Sequence, residues 1–281
     1  MPNTIALLTD FGTRDIYVGA MKGVIQRTAP QTTVIDISHH IEAQNVRQAA
    51  FALLNAYRYF VEGTVFLIVV DPGVGSTRKP IAVQAGAYIF VAPDNGVLSY
   101  ALADLPEMRA YELTNPSLWL PETSATFHGR DVFAPVAAYL SAGMALENVG
   151  DALESIFTLP PPQLSVSGKR VRGEIMHIDR FGNIISSIGQ LRWLAPDKLT
   201  LDPRFGDSRV PVPVRATEAR IKIDTTEIEG LSRAYADAPR GTLLALAGSN
   251  GYLEIAVNQG NAAATLDVVV GDHIDFTVGG A

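Results

Sequence analysis

The chain has 281 residues, 47% of them apolar and 18% charged, with a mean hydropathy of +0.16; that is ample material for a buried core and excludes a disordered or low-complexity chain. Its 22 basic and 29 acidic residues leave a net charge of −7, which disfavours nucleic acid and anionic membrane, since both need a basic face, and leaves a cationic ligand open. The absence of cysteine removes disulfides, thiolate nucleophiles, zinc ribbons and iron–sulfur clusters.

In chain order, Ile5–Thr9 reads as a strand and Ile16–Arg27 as a helix, followed by strand Thr33–Ile37, helix Val46–Phe60 and strand Val65–Val70. That last run, the longest strongly apolar one, has six residues against roughly 20 for a membrane-spanning helix. The opening MPNTIALLTDFG lacks the basic region and long apolar stretch of a secretory signal, so a cytoplasmic protein with no membrane partner is expected. Runs Ile81–Gln84 and Tyr88–Val91 follow, then helical patterns over Gly96–Ala103 and Val132–Ala142. Short apolar strands alternating with helices argue for βαβ units around a mainly parallel sheet.

The texture changes at Leu159-Pro160-Pro161-Pro162-Gln163, where consecutive prolines favour a stiff extended connector. Beyond it, Val171–Ile178, Ile184–Ile188, Val210–Val214, Arg220–Ile223, Thr242–Ala247 and Leu253–Val257 are short runs separated by Gly, Asp, Asn and Pro. They read as an antiparallel, barrel-like domain. The predicted layout is an α/β domain over 1–158, a Pro-rich linker over 159–168 and a β-barrel domain over 169–281. Residues 1–160 hold 9 basic and 15 acidic side chains, so most of the negative excess lies in the α/β part.

Several segments offer chemistry. Asp10, in Leu8-Thr9-Asp10-Phe11-Gly12, directly follows the first strand, at the sheet end where open α/β folds bind ligands. It either caps the next helix or accepts hydrogen bonds from both hydroxyls of a ribose. Neither GxGxxG nor GxxxxGK[ST] occurs in a usable context, which disfavours nucleoside triphosphate chemistry. In Val70-Asp71-Pro72-Gly73-Val74-Gly75-Ser76-Thr77-Arg78, the turn residues can bring Arg78 back to Asp71. Such a pair orients a carboxylate as a base or water-positioning group, or it merely fixes a loop.

His128, in Thr126-Phe127-His128-Gly129-Arg130-Asp131, precedes a helical pattern, and a helix N-terminus favours the neutral, proton-accepting imidazole. Arg130 and Asp131 read as helix-start, surface charges. His39 and His40 point to opposite faces of an extended chain, and no HxxxH or HExxH pattern supports them, so no metal is expected. In His177-Ile178-Asp179-Arg180-Phe181-Gly182-Asn183, an Asp, an aromatic and an amide share one turn. They could hold an ammonium group and read a base, or form a plain hairpin with Phe181 in the core. The polar, Gly-rich turn and following strand over Leu246–Glu254 admit close backbone approach to a planar ligand, or form only a turn.

Taken together, LTDFGTRDIYVG, VIDISHHI, VVDPGVGSTR, APDNGVLS, TFHGRDVFAP, DRFGNIISS and GSNGYLEIAVNQGNAA resemble, in order and over nearly the whole chain, the S-adenosyl-L-methionine (SAM) hydroxide adenosyltransferases. These are adenosine-forming SAM hydrolases related to fluorinase and chlorinase. The resemblance implies an N-terminal α/β domain, a C-terminal β-barrel and a homotrimer with active sites at subunit interfaces. It also implies displacement at ribose C5′ by water or hydroxide, with SAM as substrate and no cofactor.

By motif match, Asp71, Arg78 and His128 would handle the water and Asp10 the ribose. Phe127 would line the substrate, Asp179 would take the methionine ammonium, and Phe181 and Asn183 would lie beside the purine. Ser249, Asn250, Glu254 and Val257 would line the adenine side. Halogenases of the superfamily carry tyrosine where Asp71 stands, and Gln44 replaces a tryptophan of the fluorinase pocket. A carboxylate repels halide but polarises water. A non-catalytic SAM- or adenosine-binding protein and a SAM-dependent 5′-halogenase are the alternatives.

Overall fold

The computed structural model describes residues 3–279, which divide into two compact units between Leu159 and Pro160. The first contains β1 (Thr4–Thr9), α1 (Tyr17–Thr28), β2 (Thr33–Ser38), α2 (Val46–Ala56), β3 (Val65–Val69), β4 (Pro80–Ala85), β5 (Tyr88–Pro93), α3 (Ser99–Leu102), β6 (Met108–Glu112), α4 (Ala134–Ser141) and β7 (Ala152–Leu153). Its sheet runs β2-β1-β3-β5-β4-β6-β7. The first four strands are parallel and the last three antiparallel, so the sheet is mixed.

β3 is buried at every residue, as a central strand covered on both faces must be, and that is why its sequence is continuously apolar. α1 buries Val18, Met21 and Ile25, the i, i+3, i+7 stripe of a surface helix. Met21 and Ile25 join Leu7, Leu67 and Val69 of the sheet and Val136, Ala137 and Leu140 of α4 in one core. This core fixes the carboxyl ends of β1 and β3 side by side, with Thr9 in register with Val69.

The second unit contains β8 (Leu164–Ser167), β9 (Arg170–Ile178), β10 (Ile184–Gly189), β11 (Leu191–Ala195), β12 (Lys198–Leu201), β13 (Val212–Arg215), β14 (Arg220–Ile223), β15 (Thr226–Glu229), β16 (Leu243–Ala247), β17 (Tyr252–Val257), α5 (Ala262–Leu266) and β18 (His273–Thr277). An antiparallel sheet runs β15-β14-β18-β9-β10-β17-β16, with β8 also on β9. Ser232, just beyond β15, bridges Leu246 of β16 and nearly closes it into a barrel. β11, β12 and β13 form a separate small sheet.

Several elements depart from expectation. The connector expected over 159–168 contains β8, since after the prolines Leu164 and Val166 are free to alternate inward and pair with β9. Only Ser99–Leu102 of the expected helix Gly96–Ala103 is helical. Its start is taken by a turn in which Gly96 has φ +88°. The strand expected at Val210–Val214 begins at Val212, with Val210 70% exposed. Helix Val132–Ala142 begins instead as a wide π-helical turn over Gly129–Phe133 that passes into α4. Pro135 has no N–H for the carbonyl of Asp131, and Leu120 N–H takes that carbonyl at 2.9 Å. Among the described residues, no helix is long and apolar enough to cross a membrane.

Candidate active site

Because β1 and β3 are parallel neighbours, the residues that follow them emerge at the same sheet edge, the ligand-binding edge of open α/β folds. Asp10 and Asp71 both line a cavity of about 210 Å³ there, with Gln44, Phe127 and His128 on its other walls. Asp10 does not cap α1, whose start at Ile16 has no side-chain cap. One of its carboxylate oxygens instead accepts the Gln44 backbone N–H at 2.7 Å. Gln44 reaches that position with φ 67°, an uncommon backbone state for a non-glycine residue.

The turn after β3 folds Arg78 back onto Asp71. Arg78 Nε donates to Asp71 Oδ1 at 2.9 Å, and Nη2 donates to Oδ2, completing a two-pronged pair. The two side chains are only 9% and 6% exposed. Arg78 Nη2 also lies 3.0 Å from His128 Nδ1, and the guanidinium sits 5.3 Å from the Phe133 ring centre. Three residues from two distant loops thus form one chain of contacts, Asp71–Arg78–His128. Gly75 lets the loops meet: at φ +76°, a Cβ there would stand 2.6 Å from the Ala125 carbonyl oxygen.

The electrostatics set the histidine's state. Burial, and then the adjacent Arg78 charge, hold the His128 pKa below the ordinary imidazole value, against the weaker opposing pull of Asp71 and Asp131. A guanidinium only donates, so Nδ1 must accept, and the neutral ring carries its proton on Nε2.

Phe127 packs edge-on against Phe11 and Tyr17, at 5.7 and 5.2 Å between ring centres. Arg130 lies 5.0 Å from the Phe127 ring centre. Asp131 corrects the reading of a surface charge, because it is fully buried. Its carboxylate accepts from Arg130 Nε at 2.6 Å and from Ser124 N–H at 2.8 Å. The wide turn points Asp131 inward, where it ties down the segment leading to His128. His39 is buried between Thr9 Oγ1, 2.9 Å from its Nδ1, and Asp36 Oδ1, 3.1 Å from its Nε2 though off the line of a hydrogen bond. His40 faces outward. Among the described residues, no group of three or more His, Asp or Glu is arranged to hold a metal.

In the barrel unit, Asp179 organises its own turn. Oδ1 accepts from the N–H groups of Phe181 and Asn183 at 2.8 and 2.9 Å, and Oδ2 accepts from Asn183 Nδ2 at 3.0 Å. Phe181 is 64% exposed, which overturns the hairpin reading that placed it in the core. Arg180 lies 5.4 Å from its ring centre. Gly182, at φ +83°, admits Asn261, whose side chain would collide with any Cβ there.

Glu254 is buried on β17 and accepts the Tyr235 hydroxyl at 2.5 Å. Burial foremost, and Asp179 nearby, raise the pKa of Glu254. Burial, with the Glu254 hydrogen bond, also raises that of Tyr235. Ser249 and Asn250 are exposed on the turn that enters β17, while Val257 ends that strand. The Asp179–Asn183 turn enters β10, whose Ile184 pairs with Ile255, so it lies toward the Val257 end. The structure therefore groups Asp179, Phe181 and Asn183 with Glu254 and Val257, and leaves Ser249 and Asn250 at the other end of β17.

Comparison with known proteins agrees with this architecture. Residues 5–150 match the SAM hydroxide adenosyltransferase N-terminal domain, and residues 173–275 match the C-terminal domain of the same family. The chain belongs to the SAM hydroxide adenosyltransferase family. Proteins named (R)-S-adenosyl-L-methionine hydrolase from Salinispora tropica and Thermus thermophilus are each 37% identical to it, covering 98% and 95% of this chain and 98% and 96% of their own. A fluorinase from Actinopolyspora mzabensis is 30% identical over 97% of this chain and 96% of its own. A conserved protein of solved structure from Thermotoga maritima superimposes with a TM-score of 0.85 at 38% identity, over 97% of this chain and 99% of that one.

Three features of the candidate site escaped the sequence reading. The Gln44 backbone contact requires a left-handed residue that no pattern marks. Asp131 looks like a helix-start charge until Pro135 is read as freeing its carbonyl. Tyr235, the hydroxyl partner of Glu254, stands in a short polar turn without periodicity.

Proposed function

We propose that this chain hydrolyses S-adenosyl-L-methionine to adenosine and L-methionine by attack of water at ribose C5′. The observation that carries the reading is the Arg78 guanidinium joining Asp71 to His128 on the wall of the cavity that Asp10 lines. A water between them would donate a proton to Asp71 and accept a hydrogen bond from His128 Nε2–H. Asp71 is then the proton acceptor, because the His128 Nδ1 lone pair is already taken by Arg78. The water oxygen forms a bond to C5′ as the C5′–S bond breaks. The electron pair of that bond goes to sulfur, turning the sulfonium into a neutral thioether, and the proton leaves through Asp71.

Sulfonium departs without an acid, so the task of these residues is to align a weak nucleophile. Orientation of this kind is worth up to about 7–11 kcal/mol in ideal cases. Asp10 holds the ribose hydroxyls and Phe127 lies against the sugar. Asp179 takes the ammonium of the methionine part, with Phe181 and Asn183 beside the purine. Glu254 and Val257 complete the adenine side, and Ser249 and Asn250 would border it from the other end of β17. No cofactor takes part; the enzyme acts in the cytoplasm as a homotrimer with active sites at subunit interfaces. The carboxylate of Asp71 disfavours the halogenase reading, since it would repel a halide from the attacking position.

The test is incubation of the purified protein with SAM, with chromatography of the products and light scattering for the assembly. Adenosine and methionine in equal amounts, unaffected by chelator, are expected. Tight SAM binding without product would favour a non-catalytic binder. A 5′-halogenated nucleoside formed with added halide would favour the halogenase.

A further inference from the structure

The loop that carries Asp71 and Arg78 is held from outside by a turn that does not line the cavity. Between β3 and β4 the chain leaves the sheet at Val70 and returns at Lys79, and Asp71 and Arg78 each stand one residue inside those points. Asn95 Nδ2 donates to the Val70 carbonyl at 2.9 Å, and the neighbouring Asp94 N–H donates to the Lys79 carbonyl at 2.8 Å. Two successive residues of one turn therefore hold both ends of the loop. The Asn95 amide has one orientation, because Oδ1 accepts the Val97 N–H at 3.2 Å and leaves Nδ2 as the donor.

The turn is itself fixed on three sides. Its strand partner is β4, with Pro93 opposite Pro80. Asp94 Oδ1 accepts the Phe157 N–H at 2.7 Å, and Gly96 at φ +88° lies where a Cβ would meet Leu159 at 2.7 Å. Within the loop, the Asp71–Arg78 pair joins the two ends to each other, and the other contacts are short-range turns such as Ser76 N–H to the Gly73 carbonyl at 3.0 Å. These shape the loop, and the Asp94–Asn95 turn fixes its ends to the rest of the unit.

We propose that Asn95 is a positioning residue for the reaction: with the Asp94 backbone it clamps both ends of the 70–79 loop and so sets where the Asp71–Arg78 pair stands beside His128. This rests on the reading of that pair as the water-handling group. Asn95 does not line the cavity. Its effect is expected on kcat, because an error of about 1 Å in a catalytic group costs on the order of a hundredfold, whereas Asp10 and the barrel residues that would bind SAM are untouched.

The experiment compares wild type, Asn95→Ala, Asn95→Asp and Tyr57→Phe, which removes a hydrogen bond to Asp104 away from the loop. Each is measured for SAM turnover and for amide hydrogen exchange in a peptide covering residues 71–79. Asn95→Asp keeps the Oδ1 contact to Val97 and replaces the donor to Val70 with a carboxylate oxygen that repels its carbonyl. Both Asn95 variants are expected to lose about ten- to hundredfold in kcat with KM changed less than about threefold, and to exchange faster in the 71–79 peptide. Tyr57→Phe is expected to match wild type in both. Unchanged kcat in either Asn95 variant, or loss divided equally between kcat and KM, would overturn the proposal. If wild type itself makes no adenosine, the hydrolase reading fails, and hydrogen exchange alone decides whether Asn95 clamps the loop.

Discussion

The two units present their candidate groups by opposite means. In the α/β unit, Asp10, Asp71, Arg78 and His128 come from three separate loops, and their meeting depends on the parallel register of β1 and β3 and on close passage of Gly75 past Ala125. In the barrel unit, Asp179, Phe181 and Asn183 come from a single turn that Asp179 stabilises with its own carboxylate. A site assembled from distant loops needs supports elsewhere in the fold, and Asp131 and Asn95 supply them. A site on one turn carries its supports with it. Substitutions in the Asp71–Arg78–His128 chain and its supports should therefore act on the chemical step and on folding, and those at Asp10 and in the barrel unit on binding.

The largest effect is expected from Asp71→Asn. It removes the proposed proton acceptor while keeping shape, and a general base is worth roughly 10²–10⁴-fold. Adenosine formation at saturating SAM should fall by that factor, with KM little changed; a fall in binding alone would erase the distinction between the units. Next comes Asp131→Ala, which strips the half-buried Ser124 N–H of its acceptor and Arg130 of its partner. Urea unfolding should show a loss of about 1–3 kcal/mol. Stability equal to wild type would mean the His128 segment needs no such anchor.

A smaller effect is expected from Tyr235→Phe, which leaves buried Glu254 without its hydroxyl donor. KM for SAM should rise about five- to tenfold, as loss of roughly 1 kcal/mol implies, with kcat within about twofold. A large fall in kcat would show the barrel residues acting on chemistry as well.

The smallest is a pH effect at His128. Its pKa is lowered in the folded protein, so between that value and the ordinary one near 6.5 the unfolded chain binds more protons. Stability from this group is thus complete above about pH 6.5 and declines as pH falls toward the folded value. Followed by NMR, the imidazole should titrate below 6.5 in wild type and move upward in Arg78→Leu, where burial alone opposes the pull of Asp71 and Asp131. A titration unmoved by loss of Arg78 would separate His128 from the pair.

How much was legible in sequence follows the same division. Buried strands such as β3 announce themselves by unbroken apolar runs, and the turn chemistry of Pro72, Gly73 and Gly75 foretells the return of Arg78 to Asp71. Seven ordered motifs then carry the family. Strands β6, β15 and β18 escaped because one face is polar, leaving as little as Ala110 or Ile228 buried. Asn95 stood in a quoted motif, but its partner is the backbone carbonyl of Val70, which has no side-chain signature. The burial of Asp131 likewise depends on a helix that starts wide, a property of Pro135 in three dimensions rather than of local pattern.

The most direct measurement is hydrolysis in water enriched in oxygen-18, with mass analysis of both products. Attack at C5′ requires one heavy oxygen in the 5′-hydroxyl of adenosine and none in methionine. Adenosine without the label, or SAM left intact, would contradict a water nucleophile held by Asp71, Arg78 and His128.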